Sequence, residues 1–600
     1  MPSQPKSLTP IQFLSAGNII TASLQLYRQH FKPYFRLALI GTVWLIVPLA
    51  LLVGSVLLLA NSGDWAWLLV GIVPATVASS FLWGFAHYQA YAATIARLAF
   101  GELNGAAEPL AEAMRYTTSR KWGFWLIGFL LFLIYVGLAI GLYVLLAIGL
   151  VVAIVAVGGT AFLQNPAATP QPEWIAAIAA IFGILLLAIG IPAIVLLLWI
   201  AARLFVAEVP YAIEPDLQPG SSISRSWKLT ARNSGRLILV FMVAAAVWLP
   251  LQFLHQLVTT ALQGVAVVID PNQSSTAFVG ALVASYALSL LLNILVTPFW
   301  QTTKAITYYD LRSRREGMGL VLDDSNDDSD TVSPPFSMLH LFKQVKLLTP
   351  ESVELEFTLA GIGNRTLAVL VDYGIILLGW LLFWVLWGVF SFQLMNYLES
   401  LNTDYSNVPL WLLAIGILLT FLFTTGYFAG FEVLRQGQTP GKRYARIRVV
   451  RDDGRPVGLA QTLLRALLQP IDYTFFLGAF LIFWGKSEKR LGDWAAGTLV
   501  IQENQAMKRA ITLSPEAKQL APELPAITDL AQLRPDQFAI VNEYLQRRSF
   551  METQARSELS LELARQIRPI IQLETIPQGL TSDQFLEAVY LAYQQGMGNR

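Results

Sequence analysis

The chain has 600 residues, of which 55% are hydrophobic and only 14% charged, with a formal net charge of +1. Soluble proteins carry about 25% charged residues, so this balance marks a membrane protein and gives no sign of a nucleic-acid partner. With no cysteine, disulfides, thiolate chemistry and cysteine metal sites are excluded; the four histidines, His30, His87, His255 and His340, lack ligand spacing, and no metal or cofactor is expected.

The first twelve residues, MPSQPKSLTPIQ, have none of the charged, apolar and small-residue regions of a signal peptide, so no cleavage is expected. A helix needs about 20 mostly apolar residues to cross a bilayer. Six runs qualify in the first half: 36–60, 66–96, 123–150, 175–203, 237–262 and 277–304. None has an acidic residue in its apolar middle, and polar exceptions such as His87, His255 and Asn293 are expected to face neighbouring helices. The stretch from Trp122 to Gly158 exceeds one upright helix, which tilt or an exposed end would accommodate. Lys and Arg gather at 28–36, 115–121, 225–236 and 312–315, whereas the loops near 61–65, 158–174 and 263–276 contain neither. The positive-inside rule then puts the amino terminus in the cytoplasm and folds the six helices into three hairpins. Each hairpin follows a stretch mixing basic and aromatic residues: SLQLYRQHFKPYFRLAL (23–39), AMRYTTSRKWGFWLIGF (113–129) and SWKLTARNSGRLILVF (226–241). A repeated helix lying at headgroup level explains the pattern; so does the ordinary gathering of such residues at any cytoplasmic helix end.

Residues 323–336, DDSNDDSDTVSPPF, are acidic and rich in Ser and Pro, which reads as a flexible linker. Beyond it, VELEFTLA (353–360), RYARIRVV (443–450) and GTLVIQE (497–503) alternate like strands, and a small cytoplasmic sheet is expected, with Asp452–Asp453–Gly454 as a turn. Two clear spans lie near 366–392 and 408–432, joined by a loop whose charges are Glu399 and Asp404. The apolar stretch 459–484 is interrupted by Arg465, Pro470 and Asp472 and flanked on both sides by basic clusters. A single crossing would place one cluster outside, so a broken or re-entrant pair of short helices is favoured, which requires surrounding protein or a water-filled cavity. From about 505 the sequence turns charged and amphipathic, with helices expected at Pro535, at 551–568 and at 581–595.

The expected fold is therefore an all-α polytopic membrane protein with a small sheet. Its parts are a six-helix domain (1–322), an acidic linker (323–350), a second membrane domain (351–504) and a cytoplasmic helical tail (505–600). A cell-membrane location follows, with both termini cytoplasmic.

The second membrane domain holds the candidate site. GIGNRTLAVLVDYGIILLGW puts Arg365 and Asp372 seven residues apart, on one helix face and about 10 Å apart along the axis. GQTPGKRYARIRVVRDDGRPVG and KRLGDWAAGTLVI follow. This order of arginine and two aspartates (Asp372, then Asp493), with GxTxGKR between them, resembles the RDD family of small membrane domains over roughly 352–503. The resemblance implies a part in transport, of a ligand that the motifs do not name. More loosely, AGNIITASLQLYRQHF, SSISRSWKLTARN and YYDLRSRREG make residues 10–320 similar to the membrane domain attached to some glycerophosphodiester phosphodiesterases. The catalytic barrel has no counterpart here, so diesterase activity is not implied.

Charged groups at membrane depth are costly unless paired, and count as functional candidates. They are Arg365, Asp372, Glu432, Arg465, Asp472 and Asp493, with Gly441, Lys442 and Arg443 of the cytoplasmic motif beside them. No nucleophile elbow, HExxH, Walker loop or dinucleotide fingerprint is present, so no enzyme is expected; GIGN at 361–364 reads only as a glycine-flanked helix start. Two readings stand side by side. The acids line a path for a small ion or solute, or they form a paired network that locks helices together while the tail recruits a cytoplasmic protein. Arg365 and Asp372 are expected to interact directly or through one partner, with Asp493 or Asp472 near.

Overall fold

The computed structural model describes residues 14–61, 66–164, 172–269, 271, 276–320, 341–348, 354–401, 406–473, 477–485, 487–503, 511–575 and 579–598. Of the described residues, 80% are helical. Among the described residues, seven helices are long and apolar enough to cross a membrane, and the strands form two small sheets.

In the first half, three short amphipathic helices each lead into a pair of long ones. Helix α1 (Ala16–Gln29) precedes α2 (Phe31–Asn61) and α3 (Ala66–Leu103), and α4 (Leu110–Ser119) precedes α5 (Lys121–Gln164) and α6 (Pro172–Leu204). After the single-turn α7 (Val209–Ile213), α8 (Pro219–Thr230) precedes α9 (Ser234–Ile269) and α10 (Thr276–Arg315). The two long helices of each set pack on one another. Five of the six expected spans are among the seven; the sixth, α3, is one continuous helix, but its first side chains lie outside the described residues. Helix α5 runs 44 residues without a break. At 1.5 Å per residue that is about 66 Å, more than twice the hydrocarbon core of about 30 Å. Its partner α6 buries nothing in its most apolar window, which costs little where the solvent is lipid.

Helix α1, which begins ahead of the stretch 23–39, is enclosed by protein. Ile19, Ile20, Ala22, Ser23 and Leu26 are fully enclosed, and α1 packs on α9, α10 and α11 (Ile362–Ser400) at the centre of the main core. Its contact with α11 is backbone to backbone. A Cβ on Gly363 would stand 2.2 Å from the Gly17 carbonyl oxygen, and one on Gly17 would stand 2.2 Å from Asn364 Oδ1. Thr21 Oγ1 accepts the Gly363 N–H at 3.2 Å, and Asn364 donates to Asn18. The GIGN segment is thus where the two halves of the chain meet.

Beyond α11 come α12 (Val408–Leu434), α13 (Pro440–Tyr444), α14 (Leu459–Tyr473), α15 (Leu477–Trp484) and α16 (Leu491–Ala495). The stretch 459–484 is broken as expected: α14 and α15 lie at 97° to each other. The expected three-stranded sheet is corrected to two pairs. Strand β1 (Gln344–Leu348), in residues assigned to the linker, pairs antiparallel with β2 (Glu354–Thr358), and β3 (Ile447–Arg451) pairs antiparallel with β4 (Thr498–Gln502). One bridge, Leu359 to Ile501, joins them. The reason is apolar: Val345 and Phe357 cover a cluster of Leu359, Val450, Leu499 and Ile501. The turn at Asp452–Gly454 forms, with Gly454 at φ +79°. The acidic segment 323–336 lies outside the described residues.

The last hundred residues fold as α17 (Pro515–Leu520), α18 (Leu524–Ile527), α19 (Pro535–Arg547), α20 (Thr553–Ile570) and α21 (Ser582–Gly598). Pro535 opens α19 and Thr581 Oγ1 accepts the Gln584 N–H ahead of α21, as capping chemistry requires. Their core includes Leu320, just past α10, and Glu552 donates its N–H to the Arg315 carbonyl at 3.0 Å. Buried Arg548 ties this unit together through Glu587, Asp583 and the Thr512 carbonyl.

Candidate functional site

Asp493 is the hub. It is fully buried in the first turn of α16, where it also accepts the Arg490 N–H at 3.1 Å. Arg365, from the first turn of α11, reaches it at 2.6 Å and keeps its Nε on the Ala360 carbonyl at 2.9 Å. Arg465 comes from the middle of α14, donates to the other carboxylate oxygen and binds Thr498 Oγ1 at 2.7 Å. The Arg490 guanidinium stands 3.4 Å away. Burial alone would raise the Asp493 carboxyl, but the guanidiniums of Arg465, Arg365 and Arg490 hold it well below the usual carboxylate range. It is therefore a fixed anion. Burial pulls Arg490 down, but Asp493 and its neighbours outweigh this and raise it.

The remaining acids surround that hub, each with its own partners. Glu432, near the end of α12, pairs with Lys442 and faces Arg465 Nε at 3.4 Å. Asp472 accepts the N–H groups of Leu491 at 3.0 Å and Gly492 at 3.2 Å, with Arg490 at 3.6 Å. Asp372 is enclosed by three neutral donors: Tyr427 OH at 2.8 Å, Thr439 Oγ1 at 2.6 Å and the Gly441 N–H at 2.8 Å.

The glycine-rich motif explains this last cage. Helix α12 ends with Gln436 and Gly437 at positive φ, and a Cβ on Gly437 would strike the Val449 carbonyl at 2.2 Å. The chain then turns so that Thr439 caps α13, accepting the Lys442 N–H while donating to Asp372. Gly441 comes so close to α11 that a Cβ would stand 2.1 Å from the Ala368 carbonyl; only there can its N–H reach Asp372. Lys442 points to Glu432. Burial lowers its ammonium to about 8; Glu432 opposes that, and Arg465 and Arg490 add to it. Arg443 is exposed and stays outside the cluster.

The structure thus joins Arg365, Arg465, Asp493 and Glu432 in one chain of contacts, with Asp472 linked through Arg490. It does not join Arg365 to Asp372 as expected, because Asp372 finds its partners on α12 and in the α12–α13 turn rather than down its own helix. Arg490 was missed as a site residue although KRLGDW contains it. Its signal was the basic charge three residues before Asp493, a spacing that returns a side chain to the same helix turn.

Counting Asp372, Glu432, Asp472 and Asp493 against Arg365, Lys442, Arg465 and Arg490, the formal charges cancel. Among the described residues no group of His, Asp and Glu is placed to hold a metal ion. His87 stacks on Trp44 with centroids 4.2 Å apart, and His255 bonds Ser289 at 2.9 Å, so both serve helix packing; His340 lies outside the described residues.

No curated protein and no solved structure matches this chain. The model of the RDD family matches residues 359–497, which contain every charged group of the cluster; the chain is a multi-pass membrane protein that carries an RDD domain.

Proposed function

We propose that this protein is a membrane scaffold without covalent chemistry, in which the RDD charges clamp α11, α12, α14 and α16 together and the helical tail receives a cytoplasmic protein partner. The observation carrying this reading is pairing: Asp372, Glu432, Asp472 and Asp493 are all buried, donors bond both oxygens of Asp372, Asp472 and Asp493, and Glu432 bonds Lys442 through one oxygen while the other faces the Arg465 guanidinium at 3.4 Å without a hydrogen bond. An acid that conducts or binds a cation must have lone pairs to offer, and a charge-balanced buried network instead fixes register. The Lys/Arg asymmetry supports a cell-membrane protein with amino terminus and tail cytoplasmic, and α14–α15 as a re-entrant pair. External thiol labelling of this cysteine-free chain should then reach Asn165→Cys, Asp270→Cys and Asn402→Cys but neither Asp330→Cys nor Phe550→Cys. Labelling of the last from outside would mean that 459–484 crosses once.

One observation favours the second reading, transport of a small ion or solute across the bilayer. Lys442, beside Glu432, changes charge near pH 8 and so could pass a proton at the cluster's edge. Flux in proteoliposomes separates the two. The scaffold reading expects no gradient-driven flux, a destabilised Asp372→Asn variant, and a specific partner retained by the tail. Flux that Asp372→Asn abolishes while the protein stays folded would sink it.

A further inference from the structure

We propose that the six-helix half holds a binding site for a small, net-neutral, polyhydroxylated ligand, a sugar ring or similar polyol, at the end of α10 that carries its basic residues. The site is a cavity of about 250 Å³ between α3, α10 and the segment joining α6 to α7. One water needs only about 10–15 Å³ of such space, so there is room for one six-membered ring with its hydroxyls. It is separate from the RDD charges and does not depend on the scaffold reading.

Four observations fix the ligand's chemistry. The first is charge. Glu208 and Lys304 line the cavity and bond each other at 2.7 Å. A net-charged ligand would leave an unmatched charge in a partly enclosed place, which is unfavourable, and a zwitterion would have to part a pair that is already made.

The second is an unfilled acceptor. Gln301 lines the cavity and is only 6% exposed, and its Nε2 donates to Glu208 at 2.8 Å. A carboxylate only accepts, so that bond fixes which end of the amide is nitrogen. Gln301 Oε1 is then left with no partner, a state costing about 1–3 kcal/mol that a ligand hydroxyl relieves.

The third is the rest of the polar lining. Tyr88 OH, Thr297 Oγ1 and Asn293 Oδ1 already bond one another at 3.0–3.3 Å, holding a row of neutral donors and acceptors from α3 and α10. Phe85 and Trp300 supply apolar walls, the surface on which the C–H face of a ring rests.

The fourth is depth. Helix α10 has 40 residues and runs about 60 Å, twice the hydrocarbon core. Its apolar part gives way at Thr297–Lys304 to the Tyr308–Arg315 end, which carries Asp310 and three arginines. The cavity therefore sits at the level of lipid headgroups, where the ligand can be the head of a neutral glycolipid or a free sugar.

The test uses the full-length protein in phosphatidylcholine nanodiscs containing equal fractions of monoglucosyl-diacylglycerol, phosphatidylethanolamine and phosphatidylglycerol, with retained lipids counted by native mass spectrometry. A parallel titration uses methyl glucoside. Expected is retention of the glucosyl lipid, binding of the glucoside, or both; lipid alone identifies a headgroup site and glucoside alone a soluble one. Gln301→Leu should weaken binding about tenfold, the effect of one buried hydrogen bond. Ala92→Leu, which adds an apolar side chain to the cavity wall and replaces no polar group, should abolish it. Melting and gel filtration check that both variants are folded. If neither probe binds, if a charged or zwitterionic lipid is retained instead, or if folded Ala92→Leu binds like the parent, the proposal fails.

Discussion

The RDD domain and the α5–α6 hairpin solve the same solvent problem in opposite ways. Around Asp493, four acids and four bases are packed out of water, and most of their oriented bonds reach across helices. In α6, large apolar side chains such as Leu187 and Ile191 point outward and the helix touches few neighbours. Lipid tails are as apolar as leucine, so apolar faces gain little from meeting each other there. What gives a membrane protein one shape is then the small set of contacts that lipid cannot replace: buried charges, hydrogen bonds and close backbone approaches.

That contrast can be broken first at its strongest point. Asp493→Asn leaves Arg365, Arg465 and Arg490 without their shared anion, and loss of one member of a buried pair costs about 3–5 kcal/mol. The variant should fail to accumulate or should melt far below the parent in detergent. A parent-like melting curve would show that the cluster is not what holds these helices. Gly363→Ala comes next. Its Cβ has no room against the Gly17 carbonyl, so about 1–3 kcal/mol of overpacking strain is expected, read as a lower melting temperature and as easier proteolytic separation of the two halves. Asp372→Asn replaces one of two acceptor oxygens by N–H₂, facing either Thr439 Oγ1 or the Tyr427 OH and Gly441 N–H pair, and about 1–3 kcal/mol is lost to the unsatisfied contact.

Lys442 sharpens the comparison through pH. Its folded value of about 8 lies below the unfolded value of 10.5, so between these the unfolded chain binds more protons and stability rises with pH. Lys442→Met should remove that rise, measured as the difference between the two proteins' denaturation midpoints from pH 7.5 to 10. The smallest effect belongs to the hairpin: Leu187→Ala, at a side chain 59% exposed, should change stability by under about 0.5 kcal/mol. A core-sized loss there would mean that a further surface covers α6.

The pattern of charges in the sequence foretold the cluster better than it foretold each pairing. An arginine, a glutamate and an aspartate at membrane depth demand opposite charges, and Arg365, Arg465, Glu432 and Asp493 do meet. Asp372 was misjudged because its partners are a hydroxyl pair and a peptide N–H, groups too common to stand out 55 to 69 positions away. Strand β1 was lost inside a linker because QVKLL is too short for its alternation to register until Phe357 is seen opposite Val345. GIGN was passed over as punctuation because a glycine's reason is the atom that approaches it, here a carbonyl 346 positions earlier. Glu208, Gln301 and Lys304 looked like ordinary interfacial residues, and only the fold gathers them around one space.

The embrace between α1 and α11 also sets a timetable. Thr21 waits for Gly363, 342 residues later in the chain. A ribosome adding about 5–20 residues per second takes roughly 17–70 s to cover that distance. Throughout that interval α1 has left the ribosome with its α11 contact not yet made. Helix α1 is therefore made long before its contact with α11 can close, and until then α9 and α10, which reach it earlier, can cover it.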